Sequence, residues 1–201
     1  MIGFVLAAIA AVVDWRAVAL DRNRAEAWAK PAVMVALAIV VVSERPMMWG
    51  ALLAAVLLSL VGDVLLLPRV DQFVGGLASF LAAHVAYAVA LAARDPSPRW
   101  FAIVVVALLA LAVGGTIARH AARRSDALGV AVLAYIATIT TMFALALGVG
   151  ATEAIGAGLF VLSDAVLGWN RFVSPIPHGR LLTHVNYHVG QAILILGFVL
   201  A

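Results

Sequence analysis

Apolar runs of roughly 20 residues follow one another along this chain, each broken by a short segment bearing Arg or Pro. A helix of that length spans the hydrocarbon core of a bilayer, at about 1.5 Å of rise per residue. The runs lie at about 2–20, 31–48, 50–67, 72–93, 99–119, 126–147, 151–169 and 181–200, the second open to interruption near Ser43–Pro46. With 66% of its residues apolar and only 11% charged, the chain lacks the polar surface a soluble domain needs. The absence of alternation and the dominance of Ala and Leu argue against a membrane barrel. The expected fold is therefore all-α, a polytopic membrane protein of eight transmembrane helices forming a single domain. Met1 to Val13 has no basic leader region and reads as part of the first span.

Other classes fall away on composition. The chain has no cysteine, which removes disulfides, thiolate metal sites and a Cys nucleophile. Its net charge of +3 is not gathered into a basic patch interleaved with aromatics, so membrane lipids are the expected partners and nucleic acid is not.

Inside the apolar runs a polar signature occurs twice. Gly62-Asp63 is followed by His84 and Tyr87, and Ser163-Asp164 by His184 and Tyr187. The chain thus divides into halves at about 1–95 and 96–201, each of four spans, related as parallel repeats about the membrane normal. The loops after spans one, three, five and seven hold ten of the 13 Lys and Arg residues, Lys30 among them. The excess marks those loops as cytoplasmic and places both termini outside. The Ala-, Val- and Arg-rich composition points to a bacterial inner membrane. Asp63 precedes Pro68, and Asp164 precedes Trp169, by five residues, which sets both carboxylates roughly 7 Å inside the cytoplasmic end.

A carboxylate in hydrocarbon is costly and usually functional. Asp63 and Asp164 are the expected general acid and base, two carboxyls sharing a proton in a low-dielectric chamber. In the last span His184, Tyr187, His188 and Gln191 follow helical spacing and share one face, with Asn186 beside it. That face points inward, either as an interhelical hydrogen-bond seam or as the wall of a substrate site. His84 and Tyr87 in the fourth span and Tyr135 in the sixth join the expected substrate-binding set. Asn170, Arg171 and Arg180 lie at the expected mouth, where they serve either the positive-inside signal or a lipid phosphate.

These residues resemble the YhhN-like family of polytopic membrane proteins, whose animal members are lysoplasmalogenases. The resemblance rests on Gly62-Asp63 with Leu65-Leu66, on Phe73 to Tyr87, on Phe160 to Gly168 and on Asn186 to Gln191, in that order. It implies a hydrolase that cleaves the vinyl ether bond of a lysophospholipid, releasing a fatty aldehyde and a glycerophospho-base. Asp63 and Asp164 match the family's intramembrane acids, and the resemblance implies no cofactor. Two other readings stay open. A proton-coupled carrier suits a twofold repeat with acids at one depth, although Pro68, Pro96 and Pro98 sit at span ends rather than breaking helices. A zinc-dependent lipid hydrolase would use His184 and His188 with Asp164 and His84.

Overall fold

The computed structural model describes residues 2–201, and among them the chain forms eight helices and no strand. They are α1 (Ile2–Ala19), α2 (Asn23–Glu44), α3 (Trp49–Leu65), α4 (Phe73–Ala92), α5 (Trp100–Ala122), α6 (Asp126–Val149), α7 (Ala151–Phe172) and α8 (Gly179–Val199). Six of them, all but α3 and α8, are long and apolar enough to cross a bilayer. Their outer faces expose large apolar side chains such as Ile2, Ile9, Leu108 and Leu111, as helices packed against lipid do. The chain is an integral membrane protein.

α2 corrects the sequence reading. It starts at Asn23, not near residue 31, and runs through Pro31 to Glu44, where Arg45 turns into the left-handed region at φ 43°. The expected span begins after Lys30, a charge counted with the loop, and Pro31 follows it directly. Here it lies a third of the way along, at the loss of one backbone hydrogen bond. The shift moves Lys30 out of a loop and into the bundle, where it is 7% exposed.

Most helices pack on their sequence neighbours, with α3 along α4 and α7 along α8, while α8 also lies against α1 and α2 and α4 against α6 rather than α5. The α7–α8 contact is a backbone approach. A Cβ at Gly156 would stand 2.5 Å from the Leu194 nitrogen, and one at Gly190 would stand 2.8 Å from the Gly156 carbonyl oxygen. Only glycine permits that spacing. α5 packs differently. Its first ten residues bury no side chain, and a π turn interrupts it at Ala110–Gly114. The helix therefore stands off its neighbours and leaves an apolar gap.

Candidate functional site

Asp63 lies two residues before the end of α3, and Asp164 eight before the end of α7. Both line one cavity of about 210 Å³, together with Glu26, Lys30, Arg171, Arg180, His184 and Tyr187. The surroundings of the two acids differ. Asp63 is fully buried, with Lys30 Nζ 3.2 Å from its Oδ1. Tyr187 donates its hydroxyl to Asp63 Oδ2 at 2.9 Å and also reaches Met34 Sδ at 3.2 Å. An ammonium this close compensates a carboxylate that hydrocarbon would otherwise strand.

Asp164 is the more open of the two, its side chain 13% exposed. Tyr135 donates to its Oδ2 at 2.5 Å. His84 Nε2 stands 3.6 Å from the same oxygen, while His84 Nδ1 lies 2.5 Å from the Phe80 carbonyl. A carbonyl only accepts, so Nδ1 donates to it, and in the neutral ring Nε2 then turns a lone pair toward Asp164. Two acceptors facing each other attract only when a proton is added to one of them. Asp164 also borders a second cavity of about 370 Å³, walled by apolar side chains of α4, α5, α6 and α7 that include Leu77, Leu109, Ile136, Ile139 and Val161. One carboxyl thus sits where a polar chamber meets an apolar one.

The stripe on α8 does face inward, but its members part company. Tyr187 and His184 line the polar cavity. Gln191 lies deeper, accepting from the Tyr87 hydroxyl and donating to Ser59 Oγ at 3.0 Å. His188 lies behind the cavity, where Trp15 Nε1 donates to its Nδ1 at 3.2 Å. Asn186 turns back to the Leu182 carbonyl of its own helix at 2.8 Å and lines neither cavity. His184 and His188 do not converge on a common point with Asp164 and His84. Instead His184 Nδ1 stands 2.7 Å and His188 Nδ1 3.8 Å from Asp14. Among the described residues no group of three or more His, Asp and Glu is placed to hold a metal.

Sequence reasoning overlooked Asp14, Glu26 and Lys30. Arg180 Nη2 donates to both oxygens of Glu26 at 2.9 and 2.7 Å, closing one side of the mouth. Arg171 is held loosely, 3.5 Å from the exposed Asp71. The available signal was local: Asp14 stands inside an apolar run, as Asp63 and Asp164 do.

The YhhN family profile matches residues 25–198. Over 140 residues the chain is 35% identical to "Lysoplasmalogenase TMEM86B" of Sus scrofa, covering 70% of this chain and 59% of that protein. It is 30% identical over 142 residues to the protein of the same name in Homo sapiens, and 31% over 142 residues to that of Mus musculus, covering 71% of this chain and 60% of each relative. The matched region spans about three fifths of the length of these relatives. No solved structure matches the chain.

Proposed function

This chain belongs to the YhhN family, and from that premise we propose that it is an intramembrane hydrolase cleaving the vinyl ether bond of lysoplasmalogen-type lysophospholipids. The reading takes all eight helices as spans, in two four-helix halves, with the polar mouth on the cytoplasmic side of a bacterial inner membrane. The observation that carries it is the position of Asp164. A lysoplasmalogen is an aliphatic chain joined through a vinyl ether to a polar glycerophospho head, and Asp164 stands between an apolar cavity and a polar one. With the chain in the first and the head in the second, the ether meets the carboxyl. Arg171 and Arg180 at the mouth suit the phosphate.

Hydrolysis of a vinyl ether begins with proton delivery to the outer alkenyl carbon, which leaves an oxocarbenium ion for water to capture. Asp164 is the proposed acid, steadied by Tyr135 and backed by the lone pair of His84. Asp63, paired with Lys30, is the proposed fixed negative charge that favours the cation, and its partner Tyr187 orients the incoming water. Tyr87 and Gln191 hold α4 to α8 behind the site.

The test uses purified protein in nanodiscs with a 1-alkenyl lysophospholipid and measures free aldehyde. Release is expected from the alkenyl lipid and not from its saturated alkyl ether, which has no carbon to protonate. Cleavage of a 1-acyl lysophospholipid in its place would overturn the substrate class. No aldehyde, together with uptake of a solute driven by a pH gradient, would favour a carrier.

A further inference from the structure

α1 carries a further buried acid, Asp14, which lies behind His184 rather than in the wall of the polar cavity. Asp14 is completely buried, on a helix preceding the residues that the family profile matches. Its Oδ2 stands 2.7 Å from His184 Nδ1, and among the described residues its Oδ1 has no hydrogen-bond partner. A buried carboxylate so sparsely served needs a reason.

A plain tie between α1 and α8 accounts for the contact but not for the front of the ring. His184 lines the cavity that holds Asp63 and Asp164. Its Nε2 comes no nearer than 3.9 Å to Glu26 Oε1, beyond hydrogen-bond reach. The imidazole is gripped from behind and open in front. His188 does not compete for the grip. An indole N–H only donates, so the bond from Trp15 makes His188 Nδ1 an acceptor, which has no proton to offer Asp14 at 3.8 Å. His184 is thus left as the group that donates to Asp14. In the neutral ring that bond selects the Nδ1–H tautomer and leaves a lone pair on Nε2, facing the chamber.

We propose that Asp14 and His184 form a dyad in which Asp14 is the positioning residue and His184 Nε2 takes the proton of the attacking water, then returns it to the glycerol oxygen. This rests on the vinyl ether hydrolysis proposed above. The balance closes. Asp164 gives its proton to the outer alkenyl carbon. Water bonds to the oxocarbenium carbon and yields one proton to His184. The hemiacetal then collapses: the carbon–glycerol oxygen bond breaks as the imidazolium protonates that oxygen. The hemiacetal hydroxyl returns a proton to Asp164, and the aldehyde leaves. His184 lies on the polar side, where the glycerol must be.

Asp14→Asn separates a dyad from a tie. The amide keeps the shape and a hydrogen bond to the ring, but its NH₂ group favours the wrong tautomer, so a tie alone predicts normal turnover. The dyad predicts a fall in kcat of at least ~10²-fold with KM within about threefold, the same loss in His184→Gln, and no further loss in the double variant. Near-normal kcat in a well-folded Asp14→Asn, or losses that multiply in the double variant, would overturn it. Thermal unfolding and monodisperse elution certify the fold. ¹⁵N NMR of histidine-labelled protein in nanodiscs, assigned with His184→Gln, reads the tautomer without any substrate. A protonated Nδ1 and bare Nε2 at His184 are expected, and the opposite tautomer would overturn the dyad. Wild-type protein that releases no aldehyde would instead remove the hydrolase reading, leaving the imidazole spectrum to judge the Asp14 contact by itself.

Discussion

Asp63 and Asp164 share a local pattern, each followed some 20 residues later by a histidine and a tyrosine, yet they live in different surroundings. Asp63 is sealed and ion-paired to Lys30, whereas Asp164 opens on an apolar chamber and is bonded by a phenol. The same hundred-residue step carries Asp14 and Lys30 onto Gly114–Gly115 and Val130–Ala131, so the second half has no counterpart of either. The partners also cross over. His84 of the first half faces Asp164 of the second, and Tyr187 of the second bonds Asp63 of the first. A duplicated pattern supplies two acids, and unduplicated residues around them make the acids unlike. That difference underlies the roles proposed for them, one holding a charge and the other giving a proton.

Substitution of the two acids probes that division most directly. Asp164→Asn removes the proposed proton source and should lower kcat by ~10³-fold or more. Asp63→Asn keeps the bond to Tyr187 and should cost less, on the order of 10–10²-fold. Equal losses in aldehyde release would erase the distinction between the two acids. The buried pair comes next. Lys30→Met leaves Asp63 uncompensated and should destabilise the protein by about 3–5 kcal/mol, and adding Asp63→Asn should recover most of that. Thermal unfolding in one detergent decides the matter, and an unchanged midpoint in Lys30→Met would mean the ion pair contributes nothing.

The apolar chamber gives a finer test. A Cβ at Gly158 meets Phe143 at 3.4 Å, an ordinary contact, so a larger side chain there fits the helix and fills the cavity. Gly158→Leu should raise KM roughly tenfold for long alkenyl chains and leave short ones unaffected, as expected for displacing two methylenes at about 0.8 kcal/mol each. A chain-length series that shifts uniformly would place the aliphatic tail elsewhere. The smallest effect belongs to Asn186→Ala. Its side chain serves only its own helix, so stability should change by less than about 0.5 kcal/mol and aldehyde release by less than twofold. A large loss there would bring Asn186 back into the site.

Helix positions were legible because each follows from a run of apolar residues bounded by charge or proline. Seven of the eight observed helices begin within two residues of the expected starts. The start of α2 was not legible because Lys30 counts as a loop charge on sequence alone, and only a partner across the bundle reveals that it is buried. The inward face of α8 was legible from spacing, since Tyr187, His188 and Gln191 are all buried. Asn186, one residue off that face, was not separable without coordinates. Asp14 was visible as a charge in an apolar run, but it belonged to no repeated pattern, so nothing in the chain marked it beside the other two acids.

By itself the sequence determined that this protein is helical and lives in a bilayer, and that acids, histidines and tyrosines stand inside its helices. Those outcomes depend on the length of apolar runs and on the cost of charge in hydrocarbon, both of which are local. Only the tertiary structure decided which acid meets Lys30, which faces an apolar chamber, and which imidazole rests on Asp14. Such pairings depend on how each helix is rotated and on which helices lie side by side. No run of neighbouring residues encodes that, because the contacts join side chains more than 30 residues apart.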